Sequence, residues 1–375
     1  MYEKIDAYVQ RLIRESTPEY TAWNIEKVRQ GKPASWNYID GCMMTALLAM
    51  ADITGESQYF DFAEGYIDWF IGEDGSIRSY EPEKYNLDDI NEGRVLFPLY
   101  EKTGKEKYRL AAKTLHRQIE EQPRTFEGNF WHKAIYPNQV WLDGLYMAQP
   151  FCALYEKYLG AGDYSDILSQ IEKVHEHMRD PETGLYYHGY DASRTAFWAD
   201  PVTGRSKNFW LRSIGWFAVA MADLCEILPE GADKERLCAI FRELMEAADR
   251  WSDPETGLYW QVVDQGGREG NYLETSGSSM LAYAMLKGAR LGVLGKEFTA
   301  KGQKTFRGIV DRYLSFTDGE LNLGGICLVA GLGPESNRRR DGSYEYYISE
   351  PVVQNDAKGV APFLLCYTEI KRLES

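Results

Sequence analysis

The sequence predicts an all-α fold: six helical hairpins closed into a ring of six inner and six outer helices, an (α/α)6 barrel forming a single domain over residues 1–375. Three observations predict it. Segments with helical spacing fall into two kinds that alternate strictly along the chain. Nearly the same eight residues occur twice, DPETGLYY at 180–187 and DPETGLYW at 253–260, each just after a segment of the first kind. Comparable joints recur throughout, and a repeated joint implies a repeated unit.

The first kind of helix carries charge on one face and suits an outer ring: residues 2–15, 57–70, 106–121, 163–179, 233–251 and 297–315. The second kind is apolar nearly all round and rich in small residues: 40–53, 89–102, 143–158, 210–227, 274–291 and 355–370. A helix apolar on every face must be buried on every face, which assigns these six to an inner ring. The joints have turn chemistry, with Pro after Asp and a Gly able to take positive φ beside an apolar or aromatic residue. They are EDGSI at 73–77, FEGNFW at 126–131, the two DPETGLY copies and TDGEL at 317–321, and their glycines (Gly75, Gly128, Gly184, Gly257, Gly319) are spaced by 53, 56, 73 and 62 residues. Six hairpins close a toroid; an open solenoid is the competing topology.

Composition narrows the function. The formal charge of −15 argues against nucleic-acid binding, which needs a clustered positive surface. The one basic run, Arg338-Arg339-Arg340, is followed by Asp-Gly and reads as a solvated loop. The first sixteen residues form an amphipathic helix with charges throughout, unlike a signal peptide, and no run of about 18 apolar residues occurs, so no membrane association and a cytoplasmic location are expected. Six cysteines are scattered without a CxxC, four of them in apolar helical runs, so neither disulfides nor zinc is expected, and no cofactor motif is present. Aromatic residues make up 14% of the chain, a supply of platforms for the apolar faces of sugars.

In a closed ring the joints entering the inner helices gather at one end, so those helices direct their positive dipole ends and free N–H groups into a common funnel suited to an anionic small molecule. Into it the sequence places SWNY (35–38), YNLDDINEG (85–93), FWHKAIYPNQVWLDG (130–144), YYHGYD (186–191), NFWLRSIGW (208–216), GNYLETSGSS (270–279) and RDGSYEYYISE (340–350). Asp143 stands out. Between Trp141-Leu142 and Gly144-Leu145 its carboxyl is expected in apolar surroundings that favour the protonated form, as a general acid requires; the alternative is a helix N-cap. Asp88, with Asp89 beside it, opens the second inner helix, with the same alternative, and two funnel carboxylates would raise one another's proton affinity. Of the five histidines, His132 and His188 fall in funnel joints, whereas His116, His175 and His177 lie on outer helices and are expected at the surface. Arg212 begins an inner helix, where the dipole disfavours a cation, and is either an ion-pair partner or a clamp on a substrate carboxylate or hydroxyls.

These blocks, above all WHKAIYPNQVWLDGLYM, YNLDDINEG, FWLRSIGW, DQGGREGNYLETSGSS and RDGSYEYYISEP, resemble the unsaturated rhamnogalacturonyl hydrolases of glycoside hydrolase family 105 over nearly the whole chain. The resemblance implies a monomeric, metal-free cytoplasmic enzyme with an (α/α)6 barrel. It would act on oligosaccharides left by pectin lyases, whose non-reducing end carries a 4,5-unsaturated galacturonic acid. Carried over motif by motif, Asp143 is the proton donor, Asp88 binds sugar hydroxyls and influences Asp143, and Tyr38, His132, Lys133, His188, Trp210 and Arg212 line the sugar subsite; Trp36, Trp141 and Trp216 of the same blocks complete the binding set. The unsaturated glucuronyl hydrolases of family 88 share the fold and a pair of aspartates, but the WHK block favours family 105. Sugar 2-epimerases on the same toroid use paired histidines on inner helices, and here the two candidates sit in joints. A sugar-binding protein would keep the aromatics without needing Asp143.

Overall fold

Six helices line the interior of the ring in the computed structural model, which describes residues 2–317 and 319–374. Five are regular: Tyr38–Thr54, Leu142–Tyr158, Leu211–Ile227, Thr275–Arg290 and Ala357–Glu374, with the second position held by a segmented helix. Each packs against the next, and the last packs against the first, so the ring is closed and not an open solenoid. The outer helices are Tyr2–Arg14, Ser57–Phe70, Glu106–Glu121, Ser165–Met178, Ala232–Asp249 and Glu297–Tyr313, each with one buried stripe. Closure is tied by Ala357 N donating to Trp23 O (2.8 Å) and Tyr8 Oη to Asn355 Oδ1 (2.7 Å).

The joints repeat in detail. Gly75, Gly128, Gly184, Gly257 and Gly319 all have φ between 74° and 100°, a region only glycine enters without cost. In the two DPETGLY copies the Asp carboxylate accepts the same pair of bonds. Asp180 Oδ2 takes Thr183 N and Oγ1, both at 2.8 Å, and Asp253 Oδ2 takes Thr256 N and Oγ1 at 2.8 and 2.6 Å. In the last joint, Asp318 lies outside the described residues. Among the described residues, strands occur as four two-stranded antiparallel ribbons at the joints.

Three expectations need correction. The second inner helix is not continuous over 89–102 but runs as Asp88–Asn91, a 3-10 turn Glu92–Val95, and Leu96–Thr103. Pro98 has no N–H to return to the carbonyl of Arg94, so the preceding turn tightens. That turn lies so close to the first inner helix that a Cβ on Gly41 would stand 2.7 Å from Glu92 Cα. It also aims Arg94 across the barrel at Asp223 (2.5 Å), which Lys287 (2.8 Å) and Tyr283 (2.8 Å) also bind. Second, His116, His175 and His177 are half-buried rather than at the surface, because each packs on a tyrosine: Tyr155, Tyr186 and Tyr190. Third, two short helices, Ile25–Gln30 and Tyr344–Ser349, were not anticipated. All six cysteines are buried and free.

Candidate active site

The ribbon Gln139–Trp141 with Gly189–Asp191 builds the centre of the funnel. Its register sets Trp141 opposite Gly189, and Leu142 N donates to His188 O at 3.1 Å. The pairing therefore brings two residues 45 positions apart in the chain side by side, Asp143 and His188. Asp143 is the second residue of its helix, not its cap; Trp141 holds the cap position and no side chain caps it. The residue is 9% exposed, and its Oδ2 is buried with no hydrogen-bond partner. His188 Nε2 lies 3.3 Å away, equally without an aligned partner, and the imidazole is 0% exposed. An orphaned buried carboxylate oxygen costs free energy that a structural role would not explain.

Tyr347 holds the other side of His188, its hydroxyl 2.7 Å from Nδ1. Burial first, with Tyr346 beside it, raises the Tyr347 phenol well above its usual range, so it keeps its proton. When that proton is donated to Nδ1, the imidazole proton lies on Nε2 and faces Asp143. Sequence reading placed the YEYYIS block in the funnel but had no signal to separate Tyr347 from Tyr344 and Tyr346, since all three are buried.

Asp88 opens its short helix beneath a link from Leu87 N to His132 O (3.1 Å). Its Oδ2 is 2.5 Å from Lys133 Nζ and its Oδ1 is 3.4 Å from His132 Nε2. Burial alone would raise this carboxyl, but Lys133 and His132 outweigh it and hold it below its ordinary value. The expectation that Asp88 and Asp143 would raise one another is therefore corrected for Asp88: a cation at contact distance wins. The carboxyl that rises is Asp89, pushed up to about 7 by burial and by Asp88. Burial pushes the His132 imidazole down to about 4, so it is neutral near pH 7. His132 stacks on Trp141 at 4.3 Å, and Trp141 meets His188 edge-on at 5.5 Å, so one indole separates the two carboxylate–histidine pairs.

The opposite wall comes from the fourth and fifth inner helices. Trp210 packs 4.7 Å from His188 and 5.9 Å from Tyr347, with the Arg212 guanidinium 5.0 Å from its ring centroid. Arg212 is 1% exposed and makes no ion pair among the described residues, contrary to one of its two expected roles. Its Nη1 donates to Cys327 O and Ser276 Oγ, and Nη2 reaches Leu328 O at 3.5 Å. The nearby carboxylate, Glu274, is already used: it accepts from Gly277 N (2.8 Å), Ser276 Oγ (2.7 Å) and Cys327 N (3.0 Å), which explains the ETSGSS block as a buried helix cap. Tyr38 is half-buried and edge-on to Trp216 at 6.4 Å, while Trp216 stacks on Tyr146 at 4.4 Å and forms the floor. Trp36 is buried with its indole N–H on Asp89 O (2.7 Å), so it positions the Asp88–Asp89 segment. Among the described residues no group of three or more His, Cys, Asp or Glu is placed to hold a metal ion.

A family model described as Glycosyl Hydrolase Family 88 matches residues 8–374. A solved family 105 glycoside hydrolase from C. acetobutylicum ATCC 824 is 40% identical, with 99% of each chain covered and a TM-score of 0.90. The unsaturated rhamnogalacturonyl hydrolase YesR of Bacillus subtilis (strain 168) is 25% identical over 285 residues, 74% of this chain and 76% of that protein. An unsaturated glucuronyl hydrolase from Bacillus sp. GL1 shares the fold, with a TM-score of 0.64 at 15% identity over 100% of this chain and 97% of that one. Helical ring, funnel carboxylates and relatives agree: the chain belongs to the glycoside hydrolase 88/105 families of unsaturated uronyl hydrolases and is a glycosidase.

Proposed function

We propose that the enzyme removes a 4,5-unsaturated galacturonic acid from the non-reducing end of rhamnogalacturonan and pectin lyase products, with Asp143 as acid and then base. The observation that carries the reading is Asp143 Oδ2, buried within the funnel without a hydrogen bond and faced by His188 Nε2 at 3.3 Å. The substrate ring contains a vinyl ether, C4=C5–O. Asp143 delivers its proton to C4, and the ring oxygen shares the positive charge left on C5. Water adds at C5 while the Asp143 carboxylate accepts one of its protons, which restores the acid. The product is a hemiketal that opens to a C5 ketone and releases the neighbouring sugar from C1.

Proximity assigns the supporting roles. His188, steered by Tyr347, faces the Asp143 carboxyl and orients it. Asp88, kept anionic by Lys133, accepts hydrogen bonds from ring hydroxyls. Tyr38 offers an aromatic face to the sugar, the buried Trp141 and Trp210 hold His132 and His188 in place, and Arg212 holds the Cys327–Leu328 segment against Trp210. A standard glycosidase would need two carboxylates across the anomeric carbon; here Asp88 is ion-paired with Lys133, which leaves Asp143 to act alone. The reading carries with it a cytoplasmic monomer, and among the described residues no helix is long and apolar enough to cross a membrane. The glycosidase families set aside the epimerase and binding-protein alternatives. Incubation with unsaturated galacturonyl-rhamnose should abolish the conjugated near-UV absorbance; bleaching confined to unsaturated glucuronyl substrates would overturn the galacturonyl assignment.

A further inference from the structure

The basic run at 338–340 is not one solvated patch. Arg338 pairs with Glu335 (2.6 Å), both exposed, and Arg339 pairs with Glu350 (2.7 Å) and Ser349 Oγ (3.1 Å). Arg340 differs from both: it is half-buried, and among the described residues its guanidinium has neither an ion pair nor a hydrogen bond. Its backbone is nonetheless fixed, with its carbonyl accepting from Gly333 N at 2.7 Å and its N–H donating to Asn337 O at 3.3 Å. A Cβ built on Gly331 would stand 3.3 Å from Arg340 Nη1 and 3.5 Å from the six-membered ring of Trp141. The missing side chain at 331 thus leaves a gap between this guanidinium and the indole that stacks on His132. This approach to Trp141 places the guanidinium at the funnel rather than on the outer surface.

The other cations around the funnel are already engaged. Lys133 is bound to Asp88, Arg212 to the Cys327 carbonyl, and Lys358 to Glu26 and Asp356. The substrate is an anion and the protein carries a formal charge of −15, so long-range attraction is absent and the compensating charge must be local and unspent. A half-desolvated guanidinium without a partner is costly in the free enzyme and becomes favourable when a carboxylate arrives.

We infer that Arg340 pairs with a carboxylate of the bound oligosaccharide. The inference rests on the proposed substrate class. Two carboxylates are available, that of the unsaturated ring and that of an acidic leaving sugar. Arg340→Gln and Arg340→Lys are assayed against unsaturated galacturonyl-rhamnose, whose leaving sugar is neutral, and unsaturated digalacturonate, whose leaving sugar is acidic. Arg340→Gln should raise KM by about tenfold or more, leave kcat within about threefold and leave Tm unchanged, with Arg340→Lys intermediate. A rise on both substrates assigns Arg340 to the unsaturated ring; a rise on digalacturonate alone assigns it to the leaving sugar. An unchanged KM on both, in a wild type that bleaches them, overturns the inference and leaves the proposed function standing. A wild type that bleaches neither substrate overturns the proposed function and this inference with it.

Discussion

Replacing Asp143 with Asn separates chemistry from architecture at one position. The amide keeps the shape of the carboxyl but neither gives nor takes a proton, so kcat should fall by about two to four orders of magnitude, or about 3–5 kcal/mol of barrier. The structural cost follows from the geometry. Asp143 caps nothing, and its Oδ2 makes no hydrogen bond, so no bond through that oxygen is lost. What changes is one polar group in the first helical turn, where even a full charge is worth only about 0.3–1 kcal/mol. In a chain of 375 residues that is a Tm shift of about 2 °C or less. The two effects differ by several kcal/mol, so steady-state kinetics on the unsaturated disaccharide and a thermal melt resolve them. The inactive variant should still bind substrate, seen as a ligand-dependent rise in Tm. A helix-cap role predicts the opposite: full activity with Asn and about 0.5–2 kcal/mol lost with Ala. An Asn variant with wild-type kcat would falsify Asp143 as the proton donor.

Three further outcomes are expected. Tyr347→Phe removes the hydroxyl that steers His188 Nδ1 while keeping the ring; kcat should drop about tenfold with KM little changed and about 1 kcal/mol of stability lost, and unchanged kcat would confine the tyrosine to packing. His132, held near 4 in the folded state, binds fewer protons than in the unfolded chain between pH 4 and about 6.5, so its contribution to stability rises with pH across that window and is worth up to about 3 kcal/mol. His132→Gln should therefore flatten the dependence of Tm on pH between 4 and 6.5 relative to wild type, and an equally steep profile would show that the imidazole is not kept neutral. Gly184→Ala forces a side chain to φ 74° and sets its Cβ 2.8 Å from Ala247 Cβ, whereas at Gly162, φ 77°, nothing lies within 4 Å. The Gly184 variant should lose more than the roughly 1 kcal/mol expected at Gly162; equal losses by denaturant unfolding would mean that the joint is not tightly packed.

The hairpins, their number and the two classes of helix were legible in the sequence because burial on one face or on all faces imposes a periodicity that a local window contains. The DPETGLY joints were legible for a similar reason: Asp, Thr and the positive-φ glycine satisfy one another within five residues. Asp143, His188, Asp88 and Lys133 were picked out by their blocks, but which histidine faces which carboxylate was not, since the 45-residue gap between Asp143 and His188 is bridged by the register of a three-residue ribbon. Asp88 shows the same limit in its charge. Two acids in one funnel suggest mutual elevation, and the sign reverses because the chain folds Lys133 to within 2.5 Å of one of them. The break in the second inner helix could not be read from Pro98 alone, because Pro150 and Pro362 sit inside inner helices that stay continuous. Nor could the partners of Arg212 and Tyr347 or the approach of Arg340 to Trp141, because each lies on a different element and only the closed ring brings them to one funnel.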